Sequence, residues 1–356
     1  MKKPNKHMFS KITPLITLFI VQFSFSQTVI DVNPVGAPES SQSIDQLINN
    51  VLTDNCSQGT NTTFRYCNAV NGTTNANSYG YFTYTPPTGQ QANDSNFPFE
   101  KGMILSSGSA VTSEGPNNAP STSGNGGQTI DQNGTFNNSE WLGDSDIEQI
   151  LNVRLGDNVV TSDATVIEFD FVPLTANMEF DYIFASEEWN NSDAAANSEG
   201  YECPGQTVQD GFAFIITGPG ITADTFDHDN NTATPEIQYN HGGKNIALLR
   251  ENGNGNLILD NNGKPIPVSV GTIYNNGFCN PNPSNDGFHI DYTGAGVAPI
   301  QFNARTTKLT AREVVTPGQT YHLKFVVADR GDSSLDSAVF LDSGSFTTAP
   351  VVTIGG

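Results

Sequence analysis

Residues 178–220 constrain the fold of this chain more than any other stretch. Phe180, Tyr182 and Phe184 recur at every second position, with Asp181, Ile183 and Ala185 between them. Phe212, Phe214 and Ile216 repeat the pattern, opposite Ala213 and Ile215. Successive side chains of a strand point to opposite faces, so aromatics at period two describe half-buried β-strands whose aromatic face meets a second layer. The loop joining these two strands carries Glu187, Glu188, Trp189 and Cys203.

Further strand patterns fall at residues 28–32, 80–84, 101–108, 165–172, 245–250, 257–260, 268–273, 300–304, 307–315, 321–328 and 338–346. In 165–172, Ile167, Phe169 and Phe171 oppose Glu168 and Asp170. The turn LDNNGK at 259–264 has hairpin chemistry. Helix signals are two. Ser43 and Gln46 form a capping box ahead of the stripe Ile44, Leu47, Ile48, Val51 and Leu52. Asp144 or Asp146 caps a second helix, with Ile147, Ile150 and Leu151 facing inward. Many short alternating strands with one or two short helices predict an all-β fold. An antiparallel jelly-roll-like β-sandwich fits best, since the strands outnumber those of a simple immunoglobulin domain. With no break in composition, residues 28–349 read as a single domain. Residues 54–100 are polar and turn-rich apart from 80–84, and the Gly/Asn/Ser-rich stretch 110–140 reads as an exposed, mobile loop.

Composition decides what the chain does not bind. A formal net charge of -22 leaves nothing to neutralise a phosphate backbone, which excludes nucleic acid and disfavours anionic lipid. The 22 Phe and 10 Tyr are too many for a chain that never packs. Residues 1–26 read as a signal peptide: Lys2, Lys3, Lys6 and Lys11 precede an apolar run from 12 to 25, and cleavage after Ser26 starts the mature chain at Gln27. No later stretch is long and apolar enough to span a bilayer. Export makes Cys56, Cys67, Cys203 and Cys279 legible as two disulfides. Three pairings are open; Cys56–Cys67 and Cys203–Cys279 are favoured, and a zinc site lacks both C-x-x-C spacing and histidine.

Taken in order, GMILSSG at 102–108, ATVIEFDFVP at 164–173, FDYIFASEE at 180–188, DGFAFIITGPG at 210–220, NIAL at 245–248, YHLKF at 321–325 and ADRGDSSLDSAVFLDSGSF at 328–346 resemble the bacterial choice-of-anchor L domain family over residues 100–346. The resemblance implies a secreted or surface β-rich module, usually followed by one of several C-terminal anchoring or sorting segments, with no established enzyme activity. Here Trp189 stands where the family more often has Tyr, and the loop to Asp210 is longer and carries Cys203. Residues 350–356 form a short tail without the expected anchor.

Asp329, Asp332 and Asp336 follow a strand in a tight polar loop. Carboxylates so close repel one another unless solvated or bridged by a cation, which makes them candidate Ca²⁺ ligands, joined by Glu187 and Glu188 if the two loops meet. The bland reading is that they cap the loop's backbone N–H groups. The loop 227–231 begins like a calcium loop, but Thr232 and Gln238 replace the Gly and Glu that an EF-hand needs. Arg330-Gly331-Asp332 spells an adhesion tripeptide that the family pattern already explains. Asp210 at the head of an aromatic strand, with Trp189 as a stacking platform, motivates a glycan site; core packing is the plainer account. His228, His241, His289 and His322 lie outside any hydrolase motif. The expected function is therefore a secreted or cell-surface, extracellular bacterial module of adhesion or envelope and matrix architecture, calcium-stabilised, with glycans or surface proteins as partners. A lectin-like protein is the alternative, and an extracellular polysaccharide hydrolase using Glu187 and Glu188 comes last.

Overall fold

A computed structural model describes residues 29–53, 59–68, 77–118, 128–131, 136–137, 141–190, 200–229, 231, 233–274, 279, 285–293 and 298–346. The expected signal peptide at 1–26, Cys56, the side chain of Cys67 and the tail at 350–356 lie outside the described residues. In chain order the strands are β1 Ile30–Val32, β2 Thr60–Asn68, β3 Tyr79–Tyr84, β4 Lys101–Ser106, β5 Gln128–Asp131, β6 Phe136–Asn137, β7 Thr161–Phe171, β8 Asn177–Ser186 and β9 Gly211–Thr217. They continue with β10 Thr225–Phe226, β11 Ile237–Gln238, β12 Lys244–Asn245, β13 His289–Asp291, β14 Ala304–Thr306, β15 Leu309–Val314, β16 Tyr321–Arg330 and β17 Ser337–Asp342. The helices are α1 Ile44–Leu47, which continues as a π-turn over Ile48–Leu52, and α2 Ser145–Leu155.

These strands build an all-β sandwich of two large antiparallel sheets, with β10 and β11 paired as a separate two-stranded ribbon. The first runs β1-β3-β4-β17-β8-β14-β13, with β15 also on β8; the second runs β12-β9-β16-β7-β2-β5-β6. The sheets meet through the aromatic faces anticipated above. Phe180 of β8 packs edge-on against Phe214 of β9 with ring centroids 4.4 Å apart. Phe214 in turn stacks on Phe325 of β16 at 4.1 Å. Tyr182, Phe184, Phe212, Phe169 and Leu323 complete this inter-sheet core.

The outer faces are covered as well, so the central strands are buried on both sides rather than half-buried. Ile183, Ala185, Ala338 and Phe340 meet Phe97, Phe99, Ile300 and Phe302 of the flanking loops. Ala164, Val166, Ala213, Ile215, Val326 and Ala328 meet Ile147, Ile150 and Leu151 of α2. Both helix caps form as the sequence implies. Ser43 and Gln46 close a capping box, and Asp144 accepts from the N–H groups of Asp146 and Ile147.

Several stretches differ from expectation; the strand expected at 300–304 begins only at Ala304, with Ile300 in an isolated bridge to Glu114. The polar segments at 54–100 and 110–140 contain β2 and the short β5 and β6, which pair edge to edge. Backbone ladders need no apolar pattern, so composition concealed them. Conversely, 245–250 and 257–260 form isolated bridges rather than a strand pair, Leu248 to Pro267 and Leu259 to Pro265 among them. Proline has no N–H to donate and interrupts the ladder. The expected strand at 268–273 is replaced by a 3₁₀ turn at Val270–Thr272.

Candidate functional site

Five central strands present a carboxylate at the same end of the sandwich. In the first sheet β8 ends at Ser186 opposite Ser337 of β17, so Glu187 and Asp336 are neighbours across the ladder, and Glu187 N donates to Asp336 O at 3.1 Å. In the second sheet Ala328 pairs with Gly211, which sets Asp329 beside Asp210 at the head of β9. Asp329 also pairs with Ser162 of β7, where the register shifts and Asp163 adopts φ 50°. The turn after β4 closes the group: a Cβ on Gly108 would sit 1.8 Å from Asp336 Oδ2. The glycine of the GMILSSG stretch is thus required by a carboxylate occupying its side-chain space.

All six acids at this end are buried: Glu187, Asp210 and Asp329 at 0%, Glu188 and Asp336 at 1%, Asp163 at 4% exposure. Two are held by donors. Asp210 accepts from Arg330 N at 2.8 Å and Ser337 Oγ at 2.7 Å, and Glu188 Oε2 accepts from Asp210 N at 2.9 Å. Both oxygens of Asp329, both of Glu187 and Oδ2 of Asp163 accept no hydrogen bond of ordinary geometry from the described residues. Ser107 beside Asp329 and Gln301 beside Glu187 stand close enough to ease the charge slightly without making such a bond.

Burial and mutual repulsion raise five of the six acids, Asp163, Glu187, Glu188, Asp210 and Asp329. Desolvation, then Asp336, Asp210 and Asp332, push Asp163 up to about 8. Desolvation and Asp336 push Glu187 to about 9, and desolvation pushes Asp210 to about 8. Asp329 is raised well above the carboxylate range by desolvation, Asp210, Asp336 and Asp163. Glu188 is raised likewise by desolvation and Asp210, and there Arg330 eases it. The Arg330 guanidinium itself is engaged by Asp157, Asn152 Oδ1 and Thr207 O.

The five acids proposed as cation ligands therefore divide. Glu187 and Asp329 each lie within electrostatic reach of Asp336. Glu188, in the bend after β8, turns instead to the backbone of Asp210. Asp332 is exposed and its Oδ1 accepts from Ser334 N at 3.0 Å, the loop-capping role. Asp163 and Asp210 stand at this end too, and the signal for them is an acid at the same end of each central strand, visible only once the strands are paired. Among the described residues no three Asp, Glu, His or Cys side chains are already gathered at metal-ligating spacing.

The glycan pair does not reach solvent. Trp189 is 0% exposed, donates Nε1 to Ile273 O at 2.7 Å and packs on Phe184, so its ring offers no face to a sugar, and Asp210 at the head of β9 is 0% exposed as well. Glu187 and Glu188 likewise lie out of reach of a polysaccharide chain. In the loop at 227–231, Asp227 and Asp229 accept backbone N–H groups of their own turn. His322 bridges Asp170 Oδ1 at 2.8 Å and Glu168 Oε2 at 2.9 Å on the outer face of the second sheet. Cys203 and Cys279 form a disulfide that ties the central loop to the segment holding Cys279, the pairing favoured above.

No helix among the described residues is long and apolar enough to cross a membrane. A search of curated proteins and a search of solved structures returned no match. A family model described as "Choice-of-anchor L domain" matches residues 32–347, nearly the whole chain. That family is not a known enzyme family, and its presence implies a surface-associated or secreted, non-catalytic module. On a match of this extent, the chain belongs to the Choice-of-anchor L domain family.

Proposed function

We propose that the protein is an extracellular module of adhesion or of envelope and matrix architecture, engaging surface proteins or glycans through its outer loops and sheet edges. One observation carries this reading. Among the described residues, the cluster of acids Glu187, Glu188, Asp210, Asp329 and Asp336 is sealed from solvent. A group that no macromolecule can touch serves the fold rather than turnover. Family membership and the Cys203–Cys279 disulfide, a bond that persists in oxidising compartments, support an extracellular address. Cation stiffening belongs to this reading as a property of the sealed acidic end, not of the binding surface.

The test uses labelled mature protein, from Gln27 onward, added to intact producing cells and to their isolated matrix. Saturable retention, competed by unlabelled protein, is the expected result. Absence of retention together with polysaccharide turnover that is lost on Glu187→Gln overturns the reading in favour of a hydrolase.

A further inference from the structure

The acidic end of the sandwich poses a neutralisation problem that the described protein groups do not solve. Burying an ionised carboxylate without a partner is expensive, and several together repel one another across a medium that screens poorly. Asp329 and Glu187 are fully buried, and none of their four oxygens takes a hydrogen bond of ordinary geometry from the described residues. The nearest electrostatic neighbours of Asp329 are three more acids, Asp210, Asp336 and Asp163. Native proteins leave few buried polar atoms unsatisfied, and a cluster of them marks an unseen ion or proton.

We propose that Asp163, Asp329, Asp336 and Glu187 hold a divalent hard cation of the Ca²⁺ class, which ties the ends of the two sheets together. The donor set decides the class. The cluster offers carboxylate oxygens with the hydroxyls of Ser107 and Ser337 close by, while Cys203 and Cys279 are committed to a disulfide with each other. Oxygen-only sites suit Ca²⁺ and Mg²⁺ rather than zinc or copper, and Ca²⁺ tolerates the more irregular ligand arrangements.

The ligands come from both sheets, Glu187 and Asp336 from the ends of β8 and β17, Asp163 and Asp329 from β7 and β16. The carboxylates are not yet at ligating spacing. No hydrogen bond of ordinary geometry to Asp329 or Glu187 has to break when the ion enters. Asp210 and Glu188 are anchored by backbone donors and flank the site.

The experiment is a thermal melt of the metal-stripped mature chain at pH 7.5 with chelator, Mg²⁺ or Ca²⁺. A ligand that binds only the folded state raises its midpoint. Millimolar Ca²⁺ is expected to raise the midpoint by about 5 °C or more, and Mg²⁺ by less. Asp329→Asn and Glu187→Gln are expected to remain folded in chelator, with midpoints at or above that of the parent, and to lose the Ca²⁺ shift. Asp229→Asn, in the exposed loop, keeps it. A shift that survives Asp329→Asn but vanishes in Asp229→Asn moves the site to the loop and overturns the proposal. No shift with either ion, with a midpoint that falls steadily from pH 5 to 8, overturns it too and leaves protons as the neutralising species.

Discussion

Asp163→Asn isolates the cost of the acidic end. Asp163 is 4% exposed and is pushed up from 3.8 to about 8 by desolvation and by Asp336, Asp210 and Asp332. An acid raised in the folded state binds protons that the unfolded chain releases, so this contribution makes stability fall as pH rises from about 4 to about 8. At pH 7 the interval above 3.8 is about 3.2 units, which at 1.36 kcal/mol each amounts to ~4 kcal/mol. Relaxation around the charge roughly halves such a figure, so ~2 kcal/mol is expected. Asn removes the charge and accepts the left-handed backbone at φ 50° as readily as Asp does. In chelator the variant is therefore more stable than the parent at pH 7.5 and nearly equal to it at pH 4.5, measured by urea unfolding. With Ca²⁺ the order reverses, because the parent gains a ligand-bound state that the variant binds weakly. A variant less stable than the parent in chelator at pH 7.5 refutes the reasoning.

Other expectations rest on separate contacts. Gly108→Ala places a Cβ where Asp336 Oδ2 lies at 1.8 Å; it should cost ~1–3 kcal/mol as an overpacked site and weaken the Ca²⁺ response in the same melts. Reducing Cys203–Cys279, which spans 76 residues of chain, should cost ~2–4 kcal/mol, read as a lowered urea midpoint in reductant. His322, raised by its hydrogen bond to Glu168 and by Asp170, should contribute ~0.5 kcal/mol, a surface-pair value. Because its folded pKa is raised, that contribution is full below about 6.5 and fades as pH passes the folded value. His322→Gln should therefore separate from the parent at pH 5.5 and converge with it at pH 8.5.

The sandwich was legible because its signal is local. Phe180, Tyr182 and Phe184, like Phe212, Phe214 and Ile216, declare one apolar face at period two, and Ser43 and Asp144 announce their helices through short-range caps. What composition hid was held by backbone pairing, as in Gln128–Asp131, or broken by missing donors, as at Pro265 and Pro267. The acidic site was half legible. Asp329 and Asp336 share a loop and Glu187 sits in a conspicuous pair, so proximity in sequence found them. Asp163 stands 166 residues before Asp329 (329 − 163) and meets it only through the β7–β16 register. Trp189 misled for a related reason. An aromatic beside two acids reads as a platform, but its indole N–H is satisfied by Ile273 O and its ring by Phe184, a burial that only the fold reveals.

The most direct measurement is calorimetric titration of the metal-stripped chain with Ca²⁺ at pH 6.5 in buffers of different ionisation enthalpy, which counts protons released on binding. Asp163 and Glu187 are raised to about 8 and about 9, so the metal-free site holds protons at this pH. Carboxylates must lose them to ligate. One ion bound with release of at least two protons, diminishing toward pH 9, is the predicted result, since Asp329 is raised as well. Uptake without proton release, or no uptake at all, contradicts a cation held by the buried acids.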